Sequence, residues 1–162
     1  MKTVPALLTS VCVLALTLPT IASAYDSELA RHIQTNVTGR MDRQYLSDMP
    51  PKIDAPDVVE ALSKGQDILL LDIRTPEEHG VVSLSHPRAL WIPLNALFKS
   101  ENLDRLPSDQ QIAVVCLSGY RAALATGLLR AAGFEDVVFV NGGLAGLVQA
   151  FKPSKLAPQA GR

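Results

Sequence analysis

Three short runs of uninterrupted apolar residues constrain the fold of this chain more than any other feature. The runs are Ile68–Leu71, Ile112–Cys116 and Val137–Val140. A strand that lacks alternating polar and apolar residues is typical of a sheet that is covered on both faces. Helical patterns separate the runs, and the clearest spans Arg121–Ala132, with Gly133 as its stop. This alternation predicts an α/β fold, a single domain in which helices flank a mostly parallel central sheet.

Local signals predict where two further elements lie. Thr75-Pro76-Glu77-Glu78 has the pattern of a capping box, so a short helix should start there. Trp91-Ile92-Pro93 predicts a short strand at the edge of the sheet, because Pro93 lacks the N–H that a central strand would need. Trp91 itself is expected to be a core residue or part of a pocket wall.

The first 24 residues have the pattern of an export signal. Lys2 gives a positive start, an apolar run follows over residues 4–18, and Ala22-Ser23-Ala24 has the small residues of a cleavage site. The apolar run is too short to span a membrane comfortably. We therefore expect residues 1–24 to be a signal peptide, no membrane span to remain after its removal, and the mature protein to be periplasmic or secreted.

The rest of the chain is expected to form three parts. Residues 25–51 are an N-terminal extension that is partly helical, residues 52–151 are the folded domain, and residues 152–162 are a disordered tail with two prolines and few apolar residues. The chain has 15 Lys and Arg residues against 16 Asp and Glu residues, a net charge of −1, and no basic run. This balance argues against nucleic acid as a partner.

The use of cysteine singles out Cys116. Cys12 lies in the predicted signal peptide, so Cys116 would be the one thiol of the mature protein. An unpaired thiol in an oxidising compartment is a hazard unless it has a function or is deeply buried. Both interpretations, a reactive cysteine and an inert buried one, stay open at this point.

The loop from Cys116 to Arg121 places this thiol at the end of a predicted strand and just before a predicted helix. Unpaired N–H groups at a helix N-terminus attract anions, and a cysteine there exists partly as the reactive thiolate. Gly119 permits the sharp turn, and Ser118 can donate a hydrogen bond to an anion. Arg121 can bind loop carbonyls or an incoming oxyanion, or it can form a surface ion pair. Cys116 is therefore a candidate nucleophile, provided that its sulfur does not point into apolar packing.

Several segments resemble one known family. Cys116–Arg121, followed by Gly133-Phe134 and Asn141-Gly142-Gly143, resembles the carboxyl half of a rhodanese domain. Leu70–His79 resembles the first strand of that family and its following loop, and Ile92-Pro93-Leu94 matches its middle segment. The segments occur in the expected order and cover nearly the whole predicted domain.

The resemblance implies a sulfurtransferase that needs no metal or organic cofactor. Cys116 would take the outer, sulfane sulfur of a donor such as thiosulfate, hold it as a persulfide and pass it to a thiophilic acceptor, cyanide or a thiol. The backbone N–H groups of the loop would stabilise the charge of the added sulfur. These groups belong to Leu117, Ser118, Gly119, Tyr120 and Arg121. A loop of six residues resembles the sulfur-transferring members, whereas the related phosphatases carry one residue more.

Two further sets of polar residues have competing interpretations. Asp72 and Arg74 follow the first predicted strand and could line the pocket, but an ion pair that braces neighbouring loops is favoured. The histidines His32, His79 and His86 lack the spacing of a metal site.

The chain departs from the family pattern at three places. Ala122 stands where many members have a Ser or Thr that supports the loop. His86-Pro87-Arg88-Ala89 is one residue shorter than the usual middle segment and carries Arg88 in place of glycine. Leu117 stands where some members have a cation, which hints at an acceptor other than a simple small anion.

Two alternatives to a sulfur-transferring enzyme stay open. The domain could be a sulfur-carrier or partner-binding module with little turnover, in which residues 25–51 dock onto a protein, for example a periplasmic one. A phosphatase or arsenate reductase is disfavoured by the loop length. The sequence does not identify the natural donor and acceptor or the oligomeric state.

Overall fold

The computed structural model describes residues 25–41, 43 and 51–151, and a sheet of five parallel strands lies at the centre of this part. The strands are β1 (Lys52–Asp54), β2 (Ile68–Asp72), β3 (Ala89–Trp91), β4 (Gln111–Val115) and β5 (Val137–Asn141). Their order across the sheet is β1-β5-β4-β2-β3, and each neighbouring pair is parallel. The prediction of an α/β domain with a mostly parallel sheet is confirmed.

Helices precede and connect the strands. They are α1 (Ser27–Asn36), α2 (Ala55–Ser63), α3 (Pro76–Val81), α4 (Leu94–Leu97), α5 (Ser100–Leu103), α6 (Tyr120–Ala132) and α7 (Gly143–Ala150), and a 3₁₀ turn, Thr38–Arg40, follows α1. The predicted capping box starts α3, with reciprocal hydrogen bonds between Thr75 and Glu78. Gly133 ends α6 in the left-handed conformation that its position predicted.

The central strand β4 shows why the apolar runs are uninterrupted. Ala113 and Val115 pack in the cluster that contains α2 and α7, whereas Ile112 and Val114 pack in the cluster that contains α6. All four side chains are buried. Because both faces of the sheet are covered, none of these four positions would place a polar side chain in water.

The edge strand lies two residues earlier than the sequence predicted. β3 pairs with β2, with Leu70 opposite Ala89 and Asp72 opposite Trp91. Pro93 falls outside the strand and occupies the N-cap of α4. A proline suits this position because its fixed φ and its missing N–H do not disturb the start of a helix.

The carboxyl ends of the parallel strands meet at one edge of the sheet, which is where ligands bind in open α/β folds. Cys116 follows β4 at this edge, and Asp72 ends β2 beside it. The predicted signal peptide, residues 1–24, and the predicted tail, residues 152–162, lie outside the described residues. Of the helices in the described ranges, none has the length and apolar character that a membrane crossing requires.

Candidate active site

The cysteine loop runs from the end of β4 to the first turn of α6. Gly119 is the N-cap of α6 and has a φ of 109°, a left-handed conformation that favours glycine. Its backbone N–H donates a hydrogen bond to Cys116 Sγ over 3.1 Å. A Cβ atom at this position would also lie only 3.4 Å from the Val140 carbonyl oxygen. The glycine therefore lets the chain fold back so that a backbone amide faces the sulfur.

Cys116 is buried, with only 1% of its surface exposed. Its side chain belongs to the cluster that packs against α6, yet its sulfur accepts the N–H of Gly119 instead of facing apolar groups alone. The structure thus combines features of the reactive and of the buried cysteine that the sequence left open. The residue is deeply buried, and its sulfur lies in a polar loop at the carboxyl edge of the sheet.

The other loop side chains form an outer rim. Leu117 is 49% exposed and Tyr120 is 86% exposed, while Ser118 is also open to solvent. Among the hydrogen bonds of the described residues, the amide of Gly119 is the loop N–H that reaches the sulfur. The exposed side chains of the loop are therefore one aliphatic residue and two residues that carry hydroxyl groups.

Arg121 points to a partner that the sequence did not identify. Its guanidinium binds both carboxylate oxygens of Glu78, with Nη1–Oε2 of 2.8 Å and Nη2–Oε1 of 2.7 Å. Of the three partners that the sequence left open for Arg121, loop carbonyls, an oxyanion or an ion-pair partner, the structure shows an ion pair with a carboxylate of α3. The ion-pair alternative describes these contacts, although the pair is partly buried and bidentate, a geometry stronger than that of most surface pairs.

Electrostatics couple this ion pair to the site. Hydrogen bonds from Arg121 and then from the Thr75 backbone lower the pKa of Glu78 to about 2. The pKa of Arg121 is raised chiefly by its hydrogen bonds with Glu78, and interaction with Cys116 adds to the rise. Arg121 is therefore coupled electrostatically to Glu78 in the first place and to the thiol to a smaller extent.

Glu78 links two elements through one carboxylate. It accepts a hydrogen bond from Thr75 N over 3.0 Å, which completes the capping box of α3, and it holds Arg121 at the start of α6. The capping pattern located Glu78 in the sequence, but only as the start of a helix. No local pattern could reveal that α3 and α6 meet across the sheet edge.

Asp72 and Arg74 form a pair that is almost completely buried, each about 1% exposed. Arg74 donates to both Asp72 carboxylate oxygens, with Nε–Oδ1 of 2.9 Å and Nη2–Oδ2 of 2.7 Å. Its guanidinium also donates to the carbonyls of Glu78 and Val82. These contacts are those of a brace, because they tie the segment around α3 to the end of β2.

An aromatic contact extends this brace. His79 Nδ1 lies 3.2 Å from Asp72 Oδ2, and its ring stacks on Trp91 with 4.5 Å between the ring centroids. Trp91 Nε1 donates to the Arg74 carbonyl. Trp91 is thus partly buried and holds the end of β3 against the segment after β2. In the described ranges, no group of three or more His, Cys, Asp or Glu side chains could hold a metal ion.

A second glycine allows the start of α7 to pack against the backbone of the cysteine loop. Gly143 opens α7 with a φ of 55°, and a Cβ atom there would lie 2.4 Å from the Cys116 carbonyl oxygen. The next two amides of α7 hold the loop, since Leu144 N donates to Cys116 O and Ala145 N donates to Leu117 O. The sequence indicated only a turn at Asn141-Gly142-Gly143. The structure shows that the turn brings a helix N-terminus against the cysteine loop.

A cavity of about 470 Å³ lies beside the cysteine loop. It is lined by Ile73, Thr75, Pro76, Glu77, Pro93, Leu94, Asn95 and Arg121. A larger cavity of about 830 Å³ lies between α2 and α7, but no residue of the cysteine loop lines it. The smaller cavity shares Arg121 with the cysteine loop, whereas Cys116 is not one of its lining residues.

Comparison with known proteins relates most of the described domain to one family. A model of the rhodanese-like domain matches residues 55–150. The chain is 35% identical over 130 residues to the adenylyltransferase and sulfurtransferase uba4 of Ogataea parapolymorpha, a match that covers 76% of this chain and 31% of that protein. It is 31% identical to a sulfurtransferase of Allochromatium vinosum, covering 59% of this chain and 86% of the relative.

The match also covers only a small part of some other relatives. The probable adenylyltransferase/sulfurtransferase MoeZ of Mycobacterium tuberculosis is 32% identical, but the match spans 23% of its length. Among solved structures, the chain is similar to the rhodanese-like domain of an Anabaena protein, with a TM-score of 0.54, 25% identity and coverage of 70% of this chain and 88% of that one. A rhodanese-like domain protein from Staphylococcus aureus gives a TM-score of 0.52 with 27% identity, covering 59% and 89% of the two chains.

Proposed function

The chain belongs to the rhodanese-like domain family, and from this premise we propose that it is a sulfurtransferase that works through Cys116. Sulfur transfer in general is supported by the family and by the names of the relatives from Ogataea parapolymorpha and Allochromatium vinosum. The observation that carries the assignment of Cys116 is the Gly119 N–H directed at its sulfur over 3.1 Å. A backbone donor fixed at that atom stabilises negative charge on it.

We propose thiosulfate as a donor for the first half-reaction. The Cys116 thiolate attacks the outer sulfur of thiosulfate, a new sulfur–sulfur bond forms, and sulfite leaves with the electrons of the bond that breaks. The product is a persulfide whose negative charge lies on the added sulfur. The N-terminus of α6, with its partial positive charge, would help to stabilise this group, because its N-cap Gly119 donates to the cysteine sulfur.

The second half-reaction returns the enzyme to its starting state. An acceptor, cyanide or a thiolate, attacks the outer sulfur of the persulfide, and Cys116 leaves as a thiolate. No net oxidation or reduction by an outside reagent is needed. A covalent intermediate between two substrates predicts ping-pong kinetics.

The surrounding contacts would keep the loop in shape during both steps. Glu78 holds Arg121 from one side, and the amides of Leu144 and Ala145 hold the carbonyls of Cys116 and Leu117 from the other. Arg121, Glu78 and α7 would thus act as positioning groups for the Gly119 amide. Pre-organised donors are effective because they need no rearrangement when charge develops.

Intact mass spectrometry tests the assignment of Cys116. Thiosulfate should add the mass of one sulfur atom to the reduced protein, and the Cys116→Ser variant should gain nothing. A matched control is Ser108→Ala, which removes a solvent-exposed hydroxyl from the segment before β4, outside the cysteine loop, and leaves the thiol in place. Folded, reduced protein that gains no sulfur from thiosulfate or any other sulfane donor would falsify the proposal.

We also propose that the protein is exported to the periplasm or secreted. The charged start, apolar run and small-residue site of residues 1–24 support this location. Amino-terminal sequencing of the protein from cell fractions measures it directly. A mature protein that still begins at Met1 in the cytoplasmic fraction would contradict the proposal.

A partner-binding module is a second candidate, and the exposure of α1 favours it. Leu29 and Ile33 lie one turn apart on α1 and are 55% and 42% exposed, and α1 has no buried residue. Such a helix offers an apolar face for a partner. In this case the persulfide would form, but its sulfur would be transferred slowly to small acceptors. Deletion of residues 25–51 would weaken binding of the partner without affecting sulfur loading from thiosulfate. A phosphate-ester assay tests the disfavoured phosphatase.

A further inference from the structure

The cavity of about 830 Å³ between α2 and α7 has no part in the proposed sulfur transfer. Its lining residues include Pro56, Val59 and Ser63 of α2 and Gly146 and Ala150 of α7. Residues three or four positions apart lie on one face of a helix, so the cavity extends along both helices. We call this cavity the α2–α7 groove.

The floor of the groove is apolar. Val59 and Ala150 belong to the apolar cluster on this face of the sheet, and both are largely buried. Gly146 allows α7 to approach α2 closely, since a Cβ atom there would lie 3.1 Å from the Ala55 Cβ. A concave surface of this size with an apolar floor is typical of a site that binds an apolar group.

The charged groups that line the groove are acidic. Asp54 lies at one end, where Asn141 Nδ2 donates to its Oδ1 over 2.8 Å, and Glu60 lies further along α2. Glu60 binds Lys64, which does not line the groove, whereas none of the ion pairs of the described residues involves Asp54. Within the described ranges, no Lys, Arg or His lines the groove. The groove therefore favours an occupant that carries positive charge.

The chain leaves α7 beside this groove. Ala150, the last residue of α7, is one of the lining residues, and Phe151 follows it with half of its surface exposed. The sequence continues with residues 152–162, which contain three basic residues, no acidic residue and one large apolar residue, Leu156. This segment thus carries the charge and the apolar side chain that the groove favours.

The length of the segment is sufficient for it to reach along the groove. The groove side formed by residues 54–63 is about 14 Å long at the rise of an α-helix, and an extended chain covers about 14 Å in four to five residues. Pro153 disfavours a longer α7, because a proline clashes with the carbonyl four residues before it. The chain can therefore turn back after α7, and residues 152–158 suffice to fill the groove.

We propose that residues 152–158 bind in the α2–α7 groove, with Leu156 on its apolar floor and the two lysines near its carboxylates. The segment has too few apolar residues to fold alone, and the groove supplies the apolar surface that it lacks. Bound there, it clamps α7 to α2. Because the first amides of α7 hold the carbonyls of Cys116 and Leu117, the clamp also steadies the cysteine loop. Sulfur transfer is not required for this contact.

Limited proteolysis of the full chain tests the contact. A lysine-specific endoproteinase cleaves after Lys155, and intact mass spectrometry follows the release of residues 156–162. The reference is a synthetic peptide of residues 148–162, which has no groove. A bound segment must detach before it is cleaved, so we expect cleavage after Lys155 to be roughly tenfold slower in the protein than in the peptide.

Two matched substitutions on α7 relate this protection to the groove. Gln149→Arg adds a cation to the lining, whereas Val148→Arg adds one at the neighbouring exposed position, which does not line the groove. We expect Gln149→Arg to speed cleavage several-fold and Val148→Arg to leave it unchanged. Leu156→Ser should also speed cleavage in the protein, relative to a peptide with the same substitution. Thermal unfolding of each variant verifies that it is folded.

Three results would overturn the inference. The first is an equal rate of cleavage after Lys155 in the protein and in the peptide. The second is an equal effect of Gln149→Arg and Val148→Arg. The third is protection that disappears on dilution, which would assign the groove to the segment of a second copy of the chain.

Discussion

At the scale of single residues, the site depends on groups that have two partners each. Glu78 closes the capping box of α3 and also binds Arg121. Arg74 binds Asp72 and also two backbone carbonyls. Because each group joins two elements, its removal is expected to loosen the cysteine loop and to lower stability together.

We expect Glu78→Gln to slow sulfur loading and to lower the free energy of unfolding by about 1–2 kcal/mol, since a bidentate ion pair becomes a single hydrogen bond from Arg121 to an uncharged carbonyl. Glutamine can still complete a capping box, so the change isolates the contact with Arg121. Loading rates by intact mass and urea denaturation measure the two effects. Glu77→Gln is the matched control, because Glu77 does not bind Arg121. Equal loading rates in wild type and Glu78→Gln would rule out a positioning role.

The ion pair also predicts a dependence on pH. The folded-state pKa of Glu78 is about 2, below the ordinary value of 4.5. A lowered folded pKa stabilises the protein above the unfolded pKa, and this stabilisation disappears as the pH falls through the folded value. The stability gap between wild type and Glu78→Gln should therefore be constant above about pH 5 and should shrink towards pH 2. Denaturation experiments measure this difference in stability. A difference that stays constant from about pH 5 to about pH 2 would contradict the lowered pKa of Glu78.

At the scale of elements, the start of α7 supports the cysteine loop by close backbone contact. A helix N-terminus has free N–H groups, and here two of them hold the carbonyls of Cys116 and Leu117. This contact requires the absence of a side chain at Gly143, where a Cβ would overlap the Cys116 carbonyl oxygen. The capping box of α3 and the stop at Gly133 follow from neighbouring residues alone, so the sequence predicted both. The contact between α7 and the loop joins residues far apart in the chain, and no local pattern encodes it.

Gly143→Ala tests this support. We expect it to lower the free energy of unfolding by more than about 3 kcal/mol, because a left-handed conformation is strained for alanine and the loop must also shift. Gly65→Ala is the control, since Gly65 has a similar φ of 74° but has no atom within 4 Å of the added Cβ. The additional loss of unfolding free energy in Gly143→Ala relative to Gly65→Ala, together with slower sulfur loading, measures the contribution of the contact between α7 and the cysteine loop. Equal losses in the two variants would show that only backbone strain matters.

At the scale of the whole molecule, the described residues divide into a packed domain and a helix that precedes it. The two apolar clusters on either side of the sheet contain residues from the strands and their connecting helices. Helix α1 has no buried residue. The stability of the domain should therefore not depend on this helix.

Deletion of residues 25–43 should leave the midpoint of thermal unfolding within about 2 °C of the parent protein, because no burial is lost with α1. Scanning calorimetry of both proteins measures this. Sulfur loading should be equally unaffected. A clear drop in the midpoint would show that α1 packs onto the domain and would remove the observation that favours a partner-binding role.

The sequence alone determined the α/β class, the parallel sheet, the position of Cys116 at a strand end and the family. Apolar runs, glycines and helix caps depend on residues that are close in sequence, so they can be interpreted before the fold is known. Only the tertiary structure decided that Arg121 binds Glu78, that Gly143 lies against the cysteine loop, and that Arg121 also lines a cavity beside that loop. These features depend on which helices and strands come together. The residues in contact are far apart in the chain, so no local sequence pattern predicts the contacts.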